Sequence, residues 1–149
     1  MSPTSEEWAY MAGLFDGEGT VRTGTNKHGS TFYRAQIGNT NQEVLLWLTE
    51  ISGVGKCRKH TQSENPRWKQ AYVWALDGMD KLLYFLEGIR PYVIIKRGQV
   101  EVMITLLQHR LEALSINGKA PPTVEDRFMK DIIQILNRKG VKEDASSIS

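Results

Sequence analysis

Residues 6–19, Glu-Glu-Trp-Ala-Tyr-Met-Ala-Gly-Leu-Phe-Asp-Gly-Glu-Gly, constrain the chain more than any other stretch, because they ask one helix for two different faces. Thr4, three residues before Glu7, forms a capping box that starts the helix. Trp8, Met11, Leu14 and Phe15 recur at helical spacing and give an apolar face. Ala9, Gly13 and Gly17 fall at intervals of four and make a second strip with almost no side chain. A glycine inside a helix costs about 0.5–1 kcal/mol relative to alanine. Two of them need a reason, and the close approach of another helix backbone supplies one. Glu18 stands where the helix ends, against the negative pole of its dipole. An acid there is unfavourable unless a cation shares the site. Carbonyls left unpaired in the last turn would add oxygen ligands for a hard cation such as Mg²⁺. A solvated glutamate in a glycine-rich helix end is the bland alternative.

The chain has 149 residues, enough to bury a substantial core as one domain. A hydrophobic content of 40% and a charged content of 24% place it among soluble globular proteins. Cys57 has no second cysteine to pair with, which excludes an internal disulfide and a cysteine zinc site. The N-terminal residues are acidic and lack an apolar stretch, so they do not read as a signal peptide. No apolar run approaches the ~20 residues needed to cross a bilayer. An intracellular protein with no membrane contact is expected. The net charge of +2 is unevenly spread: residues 20–74 hold eight lysines and arginines against three acids. Such a segment suits a surface that faces phosphates, although a solvated charged face would look the same.

After Gly19 the period changes from helical to two. Residues 20–27 place Val21, Thr23 and Thr25 on one face and Arg22, Gly24 and Asn26 on the other. A turn at 27–30 leads to a second strand at 31–39, with Tyr33, Ala35 and Ile37 toward the core and Phe32, Arg34 and Gln36 away from it. Thr40 and Glu43 make a second capping box, and Val44, Leu45, Leu48 and Ile51 mark an amphipathic helix that ends at Gly53-Val54-Gly55. A third strand at 56–61 puts Lys56, Arg58 and His60 on one face. A fourth at 67–77 alternates Trp68, Tyr72, Trp74 and Leu76, toward the core, with Arg67, Lys69, Ala71 and Val73. Short and long helices follow, at 79–89 (Leu82, Leu83 and Leu86 inward) and up to about Leu114 (Val100, Met103, Ile104, Leu107, Leu111 and Leu114 buried). Thr123 with Asp126 opens a last helix, in which Val124, Phe128, Ile132, Ile133 and Leu136 face inward until Gly140. Residues 1–140 form one domain, and 141–149 read as a disordered polar tail.

The order of residues in Met11-Ala12-Gly13-Leu14-Phe15-Asp16-Gly17-Glu18-Gly19 resembles the nine-residue signature of the LAGLIDADG homing endonucleases. Its departures include the first position, Met for Leu, and the seventh and eighth, Gly-Glu for Ala-Asp. Three further stretches carry the resemblance over roughly residues 8–107. They are Gln36-Ile37-Gly38-Asn39-Thr40, Gly53-Val54-Gly55-Lys56 and Arg90-Pro91-Tyr92-Val93-Ile94-Ile95-Lys96.

The resemblance implies an α+β fold: an αββαββα half-unit with a four-stranded antiparallel, saddle-shaped sheet and additional C-terminal helices. It also implies that Glu18 binds the catalytic metal, Mg²⁺ or another divalent cation such as Mn²⁺, with Gly17 as a backbone ligand. Asn39 and Lys96 inherit, by position, the water-positioning and basic roles of the active site. The chain has one copy of the motif where such a site needs two acids. A homodimer follows, with Ala9, Gly13 and Gly17 at its two-fold interface. The expected partner is a long, nearly palindromic double-stranded DNA, cut at a specific site in an intron or intein setting. Strand parity assigns the DNA face to Arg22, Gly24, Asn26, Arg34, Gln36, Lys56, Arg58, His60, Arg67 and Lys69, and Lys27 joins them at the hairpin tip. An RNA maturase that binds host intron RNA, and a silent DNA-binding regulator, stay open on the same scaffold. Asp16, two residues from Glu18 and on a different side of the helix, is the weaker metal candidate.

Overall fold

Thr4 opens the first helix in the computed structural model, which describes residues 2–60 and 69–146. Its hydroxyl accepts from the Glu7 amide at 3.1 Å, and the Glu7 carboxylate accepts from the Thr4 amide at 2.8 Å, so both halves of the capping box are made. Helix α1 runs Ser5–Glu18 and passes directly into strand β1, Gly19–Thr25. The order continues β2 Thr31–Asn39, α2 Gln42–Ser52, β3 Lys56–Lys59, β4 Tyr72–Asp77, α3 Met79–Ile89, α4 Arg97–Ile116 and α5 Val124–Ser146. Helix, hairpin, helix, hairpin and helix are followed by two more helices, an α+β arrangement as expected.

The strands pair antiparallel in the order β1-β2-β4-β3, so the second strand of each hairpin lies at the centre. Side-chain alternation then decides what each face holds. Val21, Thr23, Ala35, Ile37, Trp74 and Leu76 are buried under the helices. Phe85 of α3 lies at the middle of this layer, with its ring 4.9 Å from Trp74 and 6.2 Å from Phe15. The Trp74 indole N–H donates to the Val54 carbonyl at 3.1 Å, which satisfies the polar atom of a fully buried ring. Close approach between α1 and α3 is made at Gly88, where a Cβ would lie 2.3 Å from the Trp8 ring. The glycines of α1 are not used this way. Among the described residues a Cβ at Gly13 or Gly17 would meet nothing within 4 Å, so their strip is open there.

Several expected boundaries move, each for a local reason. Strand β1 stops at Thr25 because the Asn26 carboxamide oxygen accepts from the amides of His28 and Ser30 and forms the turn. Helix α2 is capped by Asn41, not Thr40: the Asn41 side chain accepts from the Val44 amide at 3.0 Å. Strand β3 ends at Lys59, although the His60 amide donates to the Ala71 carbonyl at 2.9 Å and extends the pairing one step. Strand β4 begins at Tyr72, so Lys69 precedes it; Arg67 and Trp68 lie outside the described residues. On α4, Leu111 and Leu114 are half-buried, while Leu106 and Arg110 are buried instead. The Arg110 guanidinium donates to the Asp126 carboxylate at 3.0 Å and to the carbonyls of Pro121 and Ala120. His109 Nδ1 lies 2.6 Å from the same carboxylate. Burial pushes the Asp126 carboxyl up, but the Thr123 amide, His109 and Arg110 hold it below its ordinary value.

Helix α5 departs most from expectation. Ile133 is fully buried, but Val124 and Phe128, expected inward, are 77% and 65% exposed. The helix docks on the open edge of β1, where strand carbonyls need donors. Gln134 Nε2 donates to the Thr23 carbonyl at 3.1 Å, Asn137 Nδ2 to the Val21 carbonyl at 2.9 Å, and Lys130 Nζ to the Thr25 hydroxyl at 3.1 Å. Polar residues therefore occupy the contact face. The helix also runs through Gly140, its expected end, to Ser146; of the expected tail, residues 147–149 lie outside the described residues.

Beneath the hairpin, Thr23 Oγ1 is buried without a hydrogen-bond partner among the described residues. An unsatisfied buried hydroxyl costs about 1–3 kcal/mol. Thr23→Val is therefore expected to raise the thermal midpoint by about 2–4 °C per kcal/mol recovered. A midpoint that stays or falls in calorimetry would show that the hydroxyl is satisfied in solution.

Candidate functional site

Strand register assembles the face that the helices leave bare. Thr20, Gln36, Ala75 and Lys56 form one row across all four strands. Arg22, Arg34 and Asp77 form a second row, and Gly38, Val73 and Arg58 a third. Arg22, Lys56 and Arg58 are exposed, and Arg34 and Gln36 half-exposed. The predicted parity of these five residues therefore matches the register. An open cleft of about 420 Å³ runs among Arg22, Gln36, Arg58, Lys59 and His60 over a floor of Val73 and Ala75. Lys59 joins this cleft although strand parity separates it from Lys56 and Arg58; it sits at the last residue of the four-residue strand.

The remaining DNA-face candidates divide by what their side chains already do. Arg34 Nε donates to Asp77 at 2.8 Å, and its guanidinium carbon lies 5.4 Å from the centre of the Phe32 ring. The pair is partly exposed and adds little stability, but it holds a planar donor in one orientation. Gly24 faces Phe32 across the hairpin, and a Cβ there would come 3.0 Å from that ring; the glycine makes room for it. The Asn26 oxygen is taken up by the turn, which leaves Lys27 exposed at the hairpin tip. Lys69 is exposed just before β4.

At one end of this face three predicted site residues are gathered. Glu18 is the last residue of α1, and Gly19 after it pairs with Ile37, two residues before Asn39. The start of β1 and the end of β2 therefore bring Glu18 and Asn39 to the same end of the sheet. Asn39 Oδ1 accepts from the Asn41 amide at 2.8 Å, which fixes the carboxamide's orientation. Lys96 reaches this end through Asp16, whose carboxylate accepts from the backbone amides of Ile94 and Lys96 at 2.8 and 3.0 Å. Glu18 is exposed, and its carboxylate makes no hydrogen bond or ion pair with another described residue. A carboxylate without such a partner among the described residues, beside helix-end carbonyls, is an oxygen-only donor set, which suits a hard divalent cation. Among the described residues no three His, Cys, Asp or Glu side chains converge to hold a metal ion.

Ala9, Gly13 and Gly17 are all exposed on α1. Tyr10 beside them is 58% exposed and meets the Trp47 ring edge-on at 5.0 Å. Ile94 and Ile95, next to the Asp16 contact, are 76% and 72% exposed.

No family model and no curated protein matches the chain. Solved structures do. The homing endonuclease I-CvuI, in complex with its target, superposes with a TM-score of 0.66 at 18% identity, over 89% of this chain and 82% of that one. An archaeal intron-encoded homing endonuclease complexed with DNA gives 0.58 at 21% identity, over 89% and 97%. The LAGLIDADG meganuclease I-AabMI, bound to uncleaved DNA, gives 0.57 at 21% identity, over 75% of this chain but 39% of its own. The chain has the LAGLIDADG homing endonuclease fold. Here residues 11–19, the stretch that resembles the nine-residue signature, run through the end of α1 and lead into the four-stranded sheet with its bare face. I-AabMI extends well beyond the LAGLIDADG unit present here, whereas the first two structures are nearly matched in length.

Proposed function

We propose that the chain is a site-specific DNA endonuclease that acts as a homodimer and makes a double-strand break in a long, nearly palindromic target, in an intron or intein setting. The carrying observation is the placement of Glu18: exposed, without a hydrogen-bond or ion-pair partner among the described residues, and at the junction between the open glycine strip of α1 and the cationic sheet face. The likeness to enzymes solved with DNA supports the same reading. Glu18 from each copy, with the Gly17 carbonyl, would hold Mg²⁺ or Mn²⁺ near the two-fold axis. Such an ion supplies Lewis acidity and lowers the pKa of bound water. The Asn39 amide would hold a water in place, and the Lys96 ammonium would balance charge that develops on the phosphate. No observation favours intron RNA as the ligand. A regulator that binds without cutting is separated by the same assay that tests the enzyme. The protein is incubated with Mg²⁺ and a randomised DNA library, and the cut ends are sequenced. Breaks at one symmetric site support the proposal; binding without breaks, or breaks everywhere, refutes it.

The register also divides base reading from backbone contact. Gln36 stands on a central strand between Thr20 and Ala75, near the end that holds Glu18, whereas Lys27 is at the hairpin tip. A two-stranded ribbon fits the major groove, where glutamine can read adenine. Gln36→Ala is expected to relax preference at one position in each half-site, since a bidentate pair of hydrogen bonds to one base is worth about 1–3 kcal/mol of discrimination. Lys27→Ala should weaken all sequences alike and reduce the salt slope by about one. Cleavage profiles against single-base variants of the target distinguish the two. A position-specific loss for Lys27→Ala would show that the hairpin sits in the groove differently.

A further inference from the structure

Helix α4 begins at Arg97 with Lys96 at its cap, and Lys96 makes no side-chain cap hydrogen bond. The first turn of a helix carries amides with no partner inside it, and a cation at that end is opposed by the dipole. Both defects are met from a distant part of the chain. Asp16, in the last turn of α1, places one carboxylate oxygen on the Lys96 amide at 3.0 Å and the other on the Ile94 amide at 2.8 Å. A carboxylate is favourable at a helix start, so Asp16 acts as a cap supplied across 80 residues of sequence. Arg97 tightens the same segment, donating to the carbonyl of the fully buried Val93 at 2.9 and 3.2 Å. Each Asp16 oxygen accepts one peptide N–H, which fixes the orientation of the carboxylate against the start of α4. Its two bonds fix the Lys96 backbone itself to a helix that ends two residues later at Glu18.

From this geometry we infer that Asp16 is a positioning residue for cleavage: it sets the distance between the metal-binding end of α1 and the Lys96 ammonium that faces the scissile phosphate. The inference rests on the proposed catalytic role of Lys96. In a homodimer joined through α1 it also ties each lysine to the interface, so both strands meet the same spacing.

The test is a cycle of variants: wild type, Asp16→Asn, Asp16→Ala, Lys96→Met and both double variants. Each is measured for single-turnover cleavage of the library-selected target with Mg²⁺, for affinity without metal, and for thermal midpoint. Misplacement of about 1 Å can cost about a hundredfold in rate. Asp16→Ala is expected to slow cleavage by up to about that factor, with affinity unchanged. Asp16→Asn, which keeps one acceptor oxygen, should retain part of the rate. In the Lys96→Met background neither Asp16 change should slow cleavage further, since the group being positioned is gone. Losses that multiply in full would overturn the inference, because a general weakening of the fold acts whether or not Lys96 is present. Wild-type cleavage by Asp16→Ala would also overturn it. Wild-type cleavage by Lys96→Met would instead sink the catalytic role of Lys96, and the inference with it.

Discussion

Glu18→Gln is expected to bind the target at least as tightly as the wild-type chain and to cut it on the order of a thousandfold more slowly. The magnitude follows from a Lewis acid's share of transition-state stabilisation, which is several kcal/mol, with each ~1.4 kcal/mol worth a factor of ten. Glutamine keeps the size of the side chain at a position that is exposed and makes no hydrogen bond or ion pair with another described residue, so the fold loses nothing. In the proposed dimer on DNA two negative charges near the scissile phosphates would disappear, so affinity without metal should rise. The measurement is single-turnover cleavage beside a binding titration. A Glu18→Gln enzyme that cuts at the wild-type rate would place the active site elsewhere.

Gly13→Leu should separate the chain's own stability from its assembly. Leucine is a better helix former than glycine by close to 1 kcal/mol, and a Cβ at this position meets nothing within 4 Å in the chain. The isolated chain should therefore keep or raise its thermal midpoint. Across a two-fold axis the same side chain would strike its own copy, and overpacking in a tight contact costs about 1–3 kcal/mol at each site. Sedimentation should show monomer in place of the proposed dimer, with cleavage abolished alongside, since the proposed active site draws a carboxylate from each copy. A variant that remained a normal dimer would remove Gly13 from the interface and with it the role proposed for the strip.

Much of the architecture can be read from periodicity. The capping box at Thr4 and Glu7, the limits of α3 and the alternation of β1, β2 and β4 all follow from residues adjacent in sequence. What cannot be read depends on partners far away. Phe128 looks like a core residue by spacing, but α5 packs on a strand edge that asks for donors, not for apolar surface. The spacing of Lys130, Gln134 and Asn137 is the available signal: three polar side chains on one face at helical intervals. Helical spacing ranks Asp16 below Glu18 because it points to another side of α1, and that same direction is what carries it to α4. The hint there is a helix start at Lys96 with no serine, threonine, aspartate or asparagine of its own to cap it.

The two outer strands of the sheet are protected by different means. The amides of Gln134 and Asn137 occupy the carbonyls of β1, so that border is closed to any incoming strand. The opposite border, β3, is four residues long and carries Lys56, Arg58 and Lys59, whose like charges repel a second copy laid alongside. Sheet-to-sheet growth, the route by which strand edges turn into aggregates, is thus discouraged on both sides. The bare side of α1 carries no such protection, so the pairing proposed for it would meet little competition from the strand edges, and a protein that had to meet its twin in one geometry would gain from having the others shut.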